Sequence, residues 1–184
     1  PSPTTDPRPP APLIGVTELG ELMTSRDAVS VLDVRWSLLG PPGREAYEQG
    51  HVIGAQFVDL DVDLADPPGE RGRHPLPDPD RFAAAMRRCG VRAQVPVVVY
   101  DGGDGAAAAR AWWLLRHHGH RDVRVLDGGL DAWIDADGVV TALVDSPAPG
   151  DFVATDGETA EVADVEAAAE AGRHGVLLDA RTPE

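Results

Sequence analysis

The 184-residue chain has a single cysteine, Cys89, so no disulfide can form within it. It is also short of basic charge, with 16 Lys and Arg against 31 Asp and Glu and a formal net charge of −15. Proteins that grip a nucleic-acid backbone or an anionic membrane surface need clustered cations, so this balance argues against both as partners. No apolar run approaches the roughly 18 residues of a membrane-spanning helix, and no apolar stretch of secretory-leader type appears. These absences favour a cytoplasmic setting. What is present is 42% hydrophobic residues, enough at this length for one full core with some chain left over.

The most telling segment runs from Val97 to Gly105, Val-Val-Val-Tyr-Asp-Gly-Gly-Asp-Gly. A β-branched run after Pro96 reads as a buried parallel strand, and 106–115 reads as the helix that follows. The glycines between them let backbone N–H groups converge at a helix N-terminus, a cradle suited to a phosphate, a sulfur anion or a thiolate. Yet the loop lacks Cys, Ser, Lys and Thr, and offers Asp101 and Asp104, which repel anions.

Around it the chain alternates. Residues 1–12, rich in proline, form an extended arm. The chain opens on Pro1 instead of Met, which points to processing or trimming. Thr17 caps a short helix to Met23, 29–34 is an apolar strand, and 44–49 is a helical turn closed by Gly50. A strand at 56–60 follows. Asp78-Pro79 supplies a cap and an N1 proline, Phe82, Met86 and Cys89 line the helix, and Gly90 ends it. Beyond the central strand and helix, a Gly119 stop precedes a strand at 123–126, and Gly128-Gly129 turns into a helix with Leu130, Trp133 and Ile134. Repeated βα units predict an α/β fold, a mainly parallel sheet with helices on both faces. Ligands then sit at the carboxyl ends of strands, where Asp101 lies.

The chain also resembles itself at an offset of 146, that is 162 minus 16. Val16 falls on Val162, Leu19 on Val165, Leu32 on Leu178, Asp33 on Asp179 and Arg35 on Arg181. The second copy stops at Glu184, so 161–184 reads as the truncated start of a second module. Residues 13–146 are the first module and 147–160 a linker. A strand at 176–179 would have no sheet of its own, and residues from about 155 onward are expected to be poorly packed or to pair with another chain. A C-terminal helix and strand completing the first module is the other reading.

Six ordered motifs carry a family resemblance: Leu32-Asp33-Val34-Arg35, Gly50-His51-Val52-Ile53-Gly54-Ala55, Val98-Val99-Tyr100-Asp101, Arg110-Ala111-Trp112-Trp113, Gly119-His120, and Val125 through Trp133. They resemble the rhodanese superfamily, above all its tandem-domain thiosulfate and 3-mercaptopyruvate sulfurtransferases. The resemblance implies a rhodanese-like fold and a transferase without cofactor or metal. In such enzymes a cysteine of the second module takes sulfur as a persulfide and passes it to cyanide or a thiol. It needs a thiolate, hence converging amides and a helix N-terminus. In the first module an acidic residue commonly stands in the nucleophile position, and Asp101 occupies that position here. The matching loop, at 101 plus 146, falls at 247, so this chain alone is expected to be inactive.

The resemblance further implies an acidic residue and a histidine from the segment after Gly-His-x-x-Gly-Ala. By position these are Asp61, in Phe57-Val58-Asp59-Leu60-Asp61, and His74, in Arg73-His74-Pro75-Leu76-Pro77, as auxiliary catalytic residues. A carboxylate beside an imidazole can orient a proton relay. A solvated loop pair is the plainer reading. Arg181 is implied as the ligand of the donor's anionic end, whereas Arg35 reads as a structural partner of Asp33 or Glu45. The implied partners are a small anionic sulfur donor, a thiol or cyanide acceptor, and the second module. A rhodanese-like binding or regulatory module without catalysis remains the alternative.

Three conspicuous features read as structural. Cys89 at apolar spacing from Phe82 and Met86 is a small core residue. His117, His118 and His120 sit at a helix end and point apart, unlike a zinc site. Trp112, Trp113 and Trp133 face a sheet as core.

Overall fold

The computed structural model describes residues 10–24, 29–70, 72–157 and 162–178. Its central sheet has strands β1 (Leu13–Ile14), β2 (Ser30–Asp33), β4 (Gln56–Phe57), β5 (Val97–Tyr100) and β6 (Val123–Leu126). They lie in the order β1-β6-β5-β2-β4, and every pairing is parallel. A separate antiparallel pair joins β3 (His51–Val52) to β7 (Val140–Thr141). The helices are α1 (Val16–Thr24), α2 (Gly43–Gln49), α3 (Pro79–Arg88), α4 (Ala106–His117), α5 (Gly129–Asp135) and α6 (Val165–His174).

Alternation along the strands builds two cores, because successive side chains point to opposite faces. Val97 and Val99 of β5, with Leu32 of β2, pack against Phe82 and Met86 of α3 and Leu114 and Leu115 of α4. Val98 and Tyr100, with Val31, pack on the other face against Leu19 of α1 and Leu130 and Trp133 of α5. The predicted helices on both faces of a parallel sheet are therefore present.

Local signals explain most boundaries, and two differ from expectation. The Asp78 carboxylate accepts from the N–H groups of Asp80 and Arg81, and Pro79 opens α3. Helix α1 begins at Val16, with Leu19 N–H donating to Gly15 O, which puts Thr17 inside the first turn and not at the cap. Strand β4 is shorter than the 56–60 expected. Beyond Phe57 the Asp59 side chain accepts from the N–H groups of Asp61 and Val62, and this side-chain turn takes the chain out of the sheet.

The carboxyl ends of β2 and β5 are tied by a buried network around Asp33, which is fully enclosed. Arg35 donates through Nε and Nη2 to its carboxylate, and Nη2 also reaches Gly50 O at 2.7 Å. Tyr100 donates its hydroxyl to Asp33 Oδ2 at 2.8 Å and accepts from Val52 N–H at 3.1 Å. Arg35 thus pairs with Asp33, one of its two expected partners.

Residues 147–157, read from sequence as part of a linker, pack onto the ends of α3 and α4. Phe152 is buried in the first core, its N–H donates to Val91 O, and Arg87 Nη1 donates to its carbonyl at 2.9 Å. Thr155 N–H donates to His118 O, and His118 Nδ1 donates back to Thr155 O at 3.0 Å. Helix α6, capped by Asp164, buries none of its residues.

Beneath this strap His120 is buried, donates Nε2–H to Arg92 O at 3.1 Å, and leaves Nδ1 without a partner among the described residues. Burial pushes its pKa down. The folded state therefore favours neutral imidazole, whereas the unfolded chain takes up a proton near pH 6.5, so stability is complete above about pH 6.5 and falls as the pH drops below it. Urea midpoints at pH 7.5 and 5.5 should show wild type losing up to about 1.4 kcal/mol per pH unit more than His120→Gln.

Candidate functional site

The loop after β5 folds around its own carboxylate. Asp101 is buried; its Oδ1 accepts from Gly103 N–H at 2.9 Å and Gly105 N–H at 3.1 Å, and its Oδ2 accepts from Ala108 N–H at 3.1 Å. Asp104 Oδ1 accepts from Ala106 N–H at 3.0 Å. Gly105 caps α4 with φ 77°, a left-handed conformation that glycine enters freely. A second glycine makes room for the loop. Gly129 has φ 58°, and a Cβ there would come within 2.6 Å of Asp101 O, the carbonyl that accepts Leu130 N–H. The convergent amides predicted from sequence are thus present and engaged by side chains of the loop itself.

The other two residues singled out within the described chain meet each other. His74 Nε2 donates to Asp61 Oδ1 at 2.9 Å. Asp61 Oδ2 accepts from Trp36 Nε1 at 2.8 Å, and the Trp36 and His74 rings meet edge to face with centroids 5.8 Å apart. Asp61 is 56% exposed and His74 25%, so the pair lies at an open surface. Trp36 lies three residues past the end of β2 and carries no polar-motif signal, which is why spacing alone missed it. The Arg73 guanidinium stands 5.7 Å from its ring centroid.

His74 and Asp101 line the same cavity, of about 620 Å³, together with Trp36, Leu60, Asp104 and Arg110. It opens at the carboxyl ends of the parallel strands, where an α/β sheet places its ligands. A cavity of about 270 Å³ next to it is lined by Asp61, Asp59 and Arg44. Arg181 lies outside the described residues.

The remaining conspicuous side chains are structural. Cys89 is buried with Sγ 3.6 Å from Phe57 O, and burial pushes its thiol up to about 11, the reverse of an activated nucleophile. His117 stacks on Trp113, His118 binds Thr155 O, and His120 binds Arg92 O. Among the described residues no group of three or more His, Cys, Asp or Glu is placed to hold a metal ion. Trp112 Nε1 donates to Val123 O at 3.0 Å, and Trp133 is buried in the second core.

Comparison with known proteins gives this geometry a context. The family model for the rhodanese-like domain matches residues 15–136. A Mycobacterium tuberculosis protein named "Putative thiosulfate sulfurtransferase SseB" is 48% identical over 175 residues, covering 94% of this chain and 62% of that protein. The 3-mercaptopyruvate sulfurtransferase of Homo sapiens is 37% identical over 130 residues, covering 67% of this chain and 42% of its own. Among solved structures, the Escherichia coli 3-mercaptopyruvate sulfurtransferase SseA superposes with a TM-score of 0.78 at 30% identity, covering 89% of this chain and 62% of that one. The chain therefore spans about 62% of the length of the first of these relatives.

Removing the carboxylate tests what closes the loop. Asp101→Ala leaves three amides without an acceptor and should cost about 2–4 kcal/mol in urea denaturation, with Asp101→Asn costing less because it keeps one oxygen. For Cys89, thiol-reactive probes at neutral pH should label the folded chain far more slowly than the urea-unfolded chain.

Proposed function

The chain belongs to the rhodanese-like domain family, and from that premise we propose that it is the non-nucleophilic N-terminal part of a sulfurtransferase using thiosulfate or 3-mercaptopyruvate. The observation that carries this reading is the juxtaposition of two things in one cleft. One is a loop whose amides are occupied by its own Asp101; the other is His74, paired with Asp61.

The chemistry then divides between two modules. A cysteine thiolate in the second attacks the outer sulfur of the donor and becomes a persulfide. Thiosulfate departs as sulfite, taking the electron pair of the broken S–S bond. From 3-mercaptopyruvate the C–S bond breaks, and the carbon fragment needs a proton to leave as pyruvate. Cyanide or a thiol then takes the sulfur and restores the thiolate. His74 contributes on the proton-handling side, and Asp61 holds its Nε2–H tautomer so that Nδ1 presents a lone pair. Asp101 is the structural stand-in for the nucleophile, since a carboxylate can keep the loop amides permanently where a persulfide must be released.

The second module begins at about residue 161 in this reading. The offset repeat supports it, because residues buried in the first copy have exposed counterparts in the second. Arg181 is assigned to the anionic end of the donor. Its repeat twin Arg35 engages Asp33 and Gly50 through Nε and Nη2, so an Arg181 that copied it would offer the donor less than a full fork. The single cysteine and the net charge of −15 fit a cytoplasmic enzyme without nucleic-acid or membrane partners.

The 184-residue chain alone should show no thiosulfate:cyanide activity, whereas the protein with its continuation past Glu184 should turn over one or both donors. In that longer protein His74→Asn should lower turnover of 3-mercaptopyruvate by roughly 100-fold, the usual contribution of a positioned proton-transfer group. Robust activity of the short chain, abolished by Cys89→Ser, would overturn the reading. A folded longer protein with no turnover on either donor would favour a binding module instead.

A further inference from the structure

The motif Arg110-Ala111-Trp112-Trp113 has no part in the chemistry proposed above, although Arg110 lies on α4 one turn beyond the Asp101 loop. Trp112 and Trp113 are explained by packing against the first core. Arg110 is not. It lines the large cavity beside Asp101 and Asp104, yet among the described residues it makes no ion pair with either. Its guanidinium turns to backbone instead: Nε donates to Leu64 O at 2.9 Å, and Nη2 donates to His74 O and Pro75 O, both at 3.1 Å. Burial lowers its pKa, the direction expected of a cation desolvated among neutral dipoles.

The segment that receives these bonds needs an outside anchor. Between the Asp59 turn and Pro79 the described residues form no helix or strand beyond the Gly69–Gly72 bridge. It is fastened at Pro75 O by Asp66 N–H and at Asp78 N–H by the Asp66 carboxylate, but neither bond touches His74. Arg110 does, through the carbonyl of His74 itself. A planar fork that reaches three carbonyls fixes peptide planes as well as distances. On the opposite side Trp36 holds Asp61 through its indole N–H and meets the imidazole edge to face.

We propose that Arg110 is a positioning residue for His74: it ties the helix of the nucleophile-less loop to the histidine segment and sets where the imidazole meets Asp61. The functional weight of this assignment rests on the role proposed for His74, but its geometry can be tested without activity. The vestigial loop then has a use, since α4 is the rigid element from which the histidine is hung.

The test is proton NMR on the 184-residue chain. Wild type should show a through-space cross-peak between the His74 and Trp36 rings and a ring-current displacement of the His74 ring protons. Arg110→Gln should abolish both, while amide signals of β5 and β6 keep their wild-type positions. Arg110→Lys, which keeps the charge but lacks the fork, should weaken the cross-peak without restoring it, and it decides the matter if the Gln variant does not fold. Retention of the full cross-peak and displacement in either folded variant, whatever its melting temperature, would overturn the assignment. Unchanged turnover in His74→Asn of the longer protein would instead sink the role of His74 and leave the NMR result standing.

Discussion

Three amides at the end of β5 and the start of α4 have no partner in the sheet, and the Asp101 carboxylate takes all three. A buried N–H left unmade costs about 1–3 kcal/mol, which applies in full to Ala108 and in part to the more exposed Gly103 and Gly105, so the carboxylate stabilises the closed loop. The same helix N-terminus that would favour a thiolate favours a carboxylate for the same electrostatic reason. The position of α4, and with it Arg110, the first core and one wall of the cavity, follows from that closure. Gly129 accepts the constraint from the other side, because the Asp101 carbonyl lies where its Cβ would be.

A second buried carboxylate organises the neighbouring strand. Asp33 is enclosed completely, and a lone charge there would be strongly disfavoured. Arg35 and Tyr100 donate to it, and Val52 N–H donates to the Tyr100 hydroxyl, so β2, β5 and β3 are joined through one network. The Tyr100 hydroxyl is held protonated by its burial and by Asp33, its pKa raised far above the ordinary value. The network fixes the ends of β2 and β5 in register, and Trp36 and Asp101 leave those two ends as near neighbours. The cavity between them is a consequence of two satisfied carboxylates on adjacent strands.

What could be read from sequence was whatever local chemistry decides. The Asp78-Pro79 cap, the apolar runs at β2 and β5 and the glycine loop each depend on residues close in the chain, and each stands where expected. The meeting of Asp61 with His74, thirteen residues apart, was reached by resemblance and is matched by the geometry. What escaped depends on distant pairings. Strands β3 and β7 are two residues each and their paired residues lie 90 (His51↔Thr141) and 88 (Val52↔Val140) positions apart, the strands too short for any periodicity to register. The strap at 147–157 looked like a linker because its prolines and glycines outweigh one phenylalanine, yet Phe152 inserts between Phe82 and His120. Arg110 escaped because its partners are carbonyls, which every residue has.

The repeat permits a comparison that no single segment offers. Leu19 and Leu32 are both 0% exposed, whereas their counterparts at the 146 offset, Val165 and Leu178, are 85% and 83% exposed. Val31 is buried, and its counterpart Leu177 is not. Burying one such side chain contributes about 1.5–3 kcal/mol, so three of them left in water forgo a sum comparable to the net stability of a small domain. Helix α6 keeps its Asp164 cap, Ala167 N–H donating at 2.7 Å, and so holds its local structure without that packing. Local signals are satisfied and long-range ones are not. That is the physical condition of a capped amphipathic helix without a sheet to pack on.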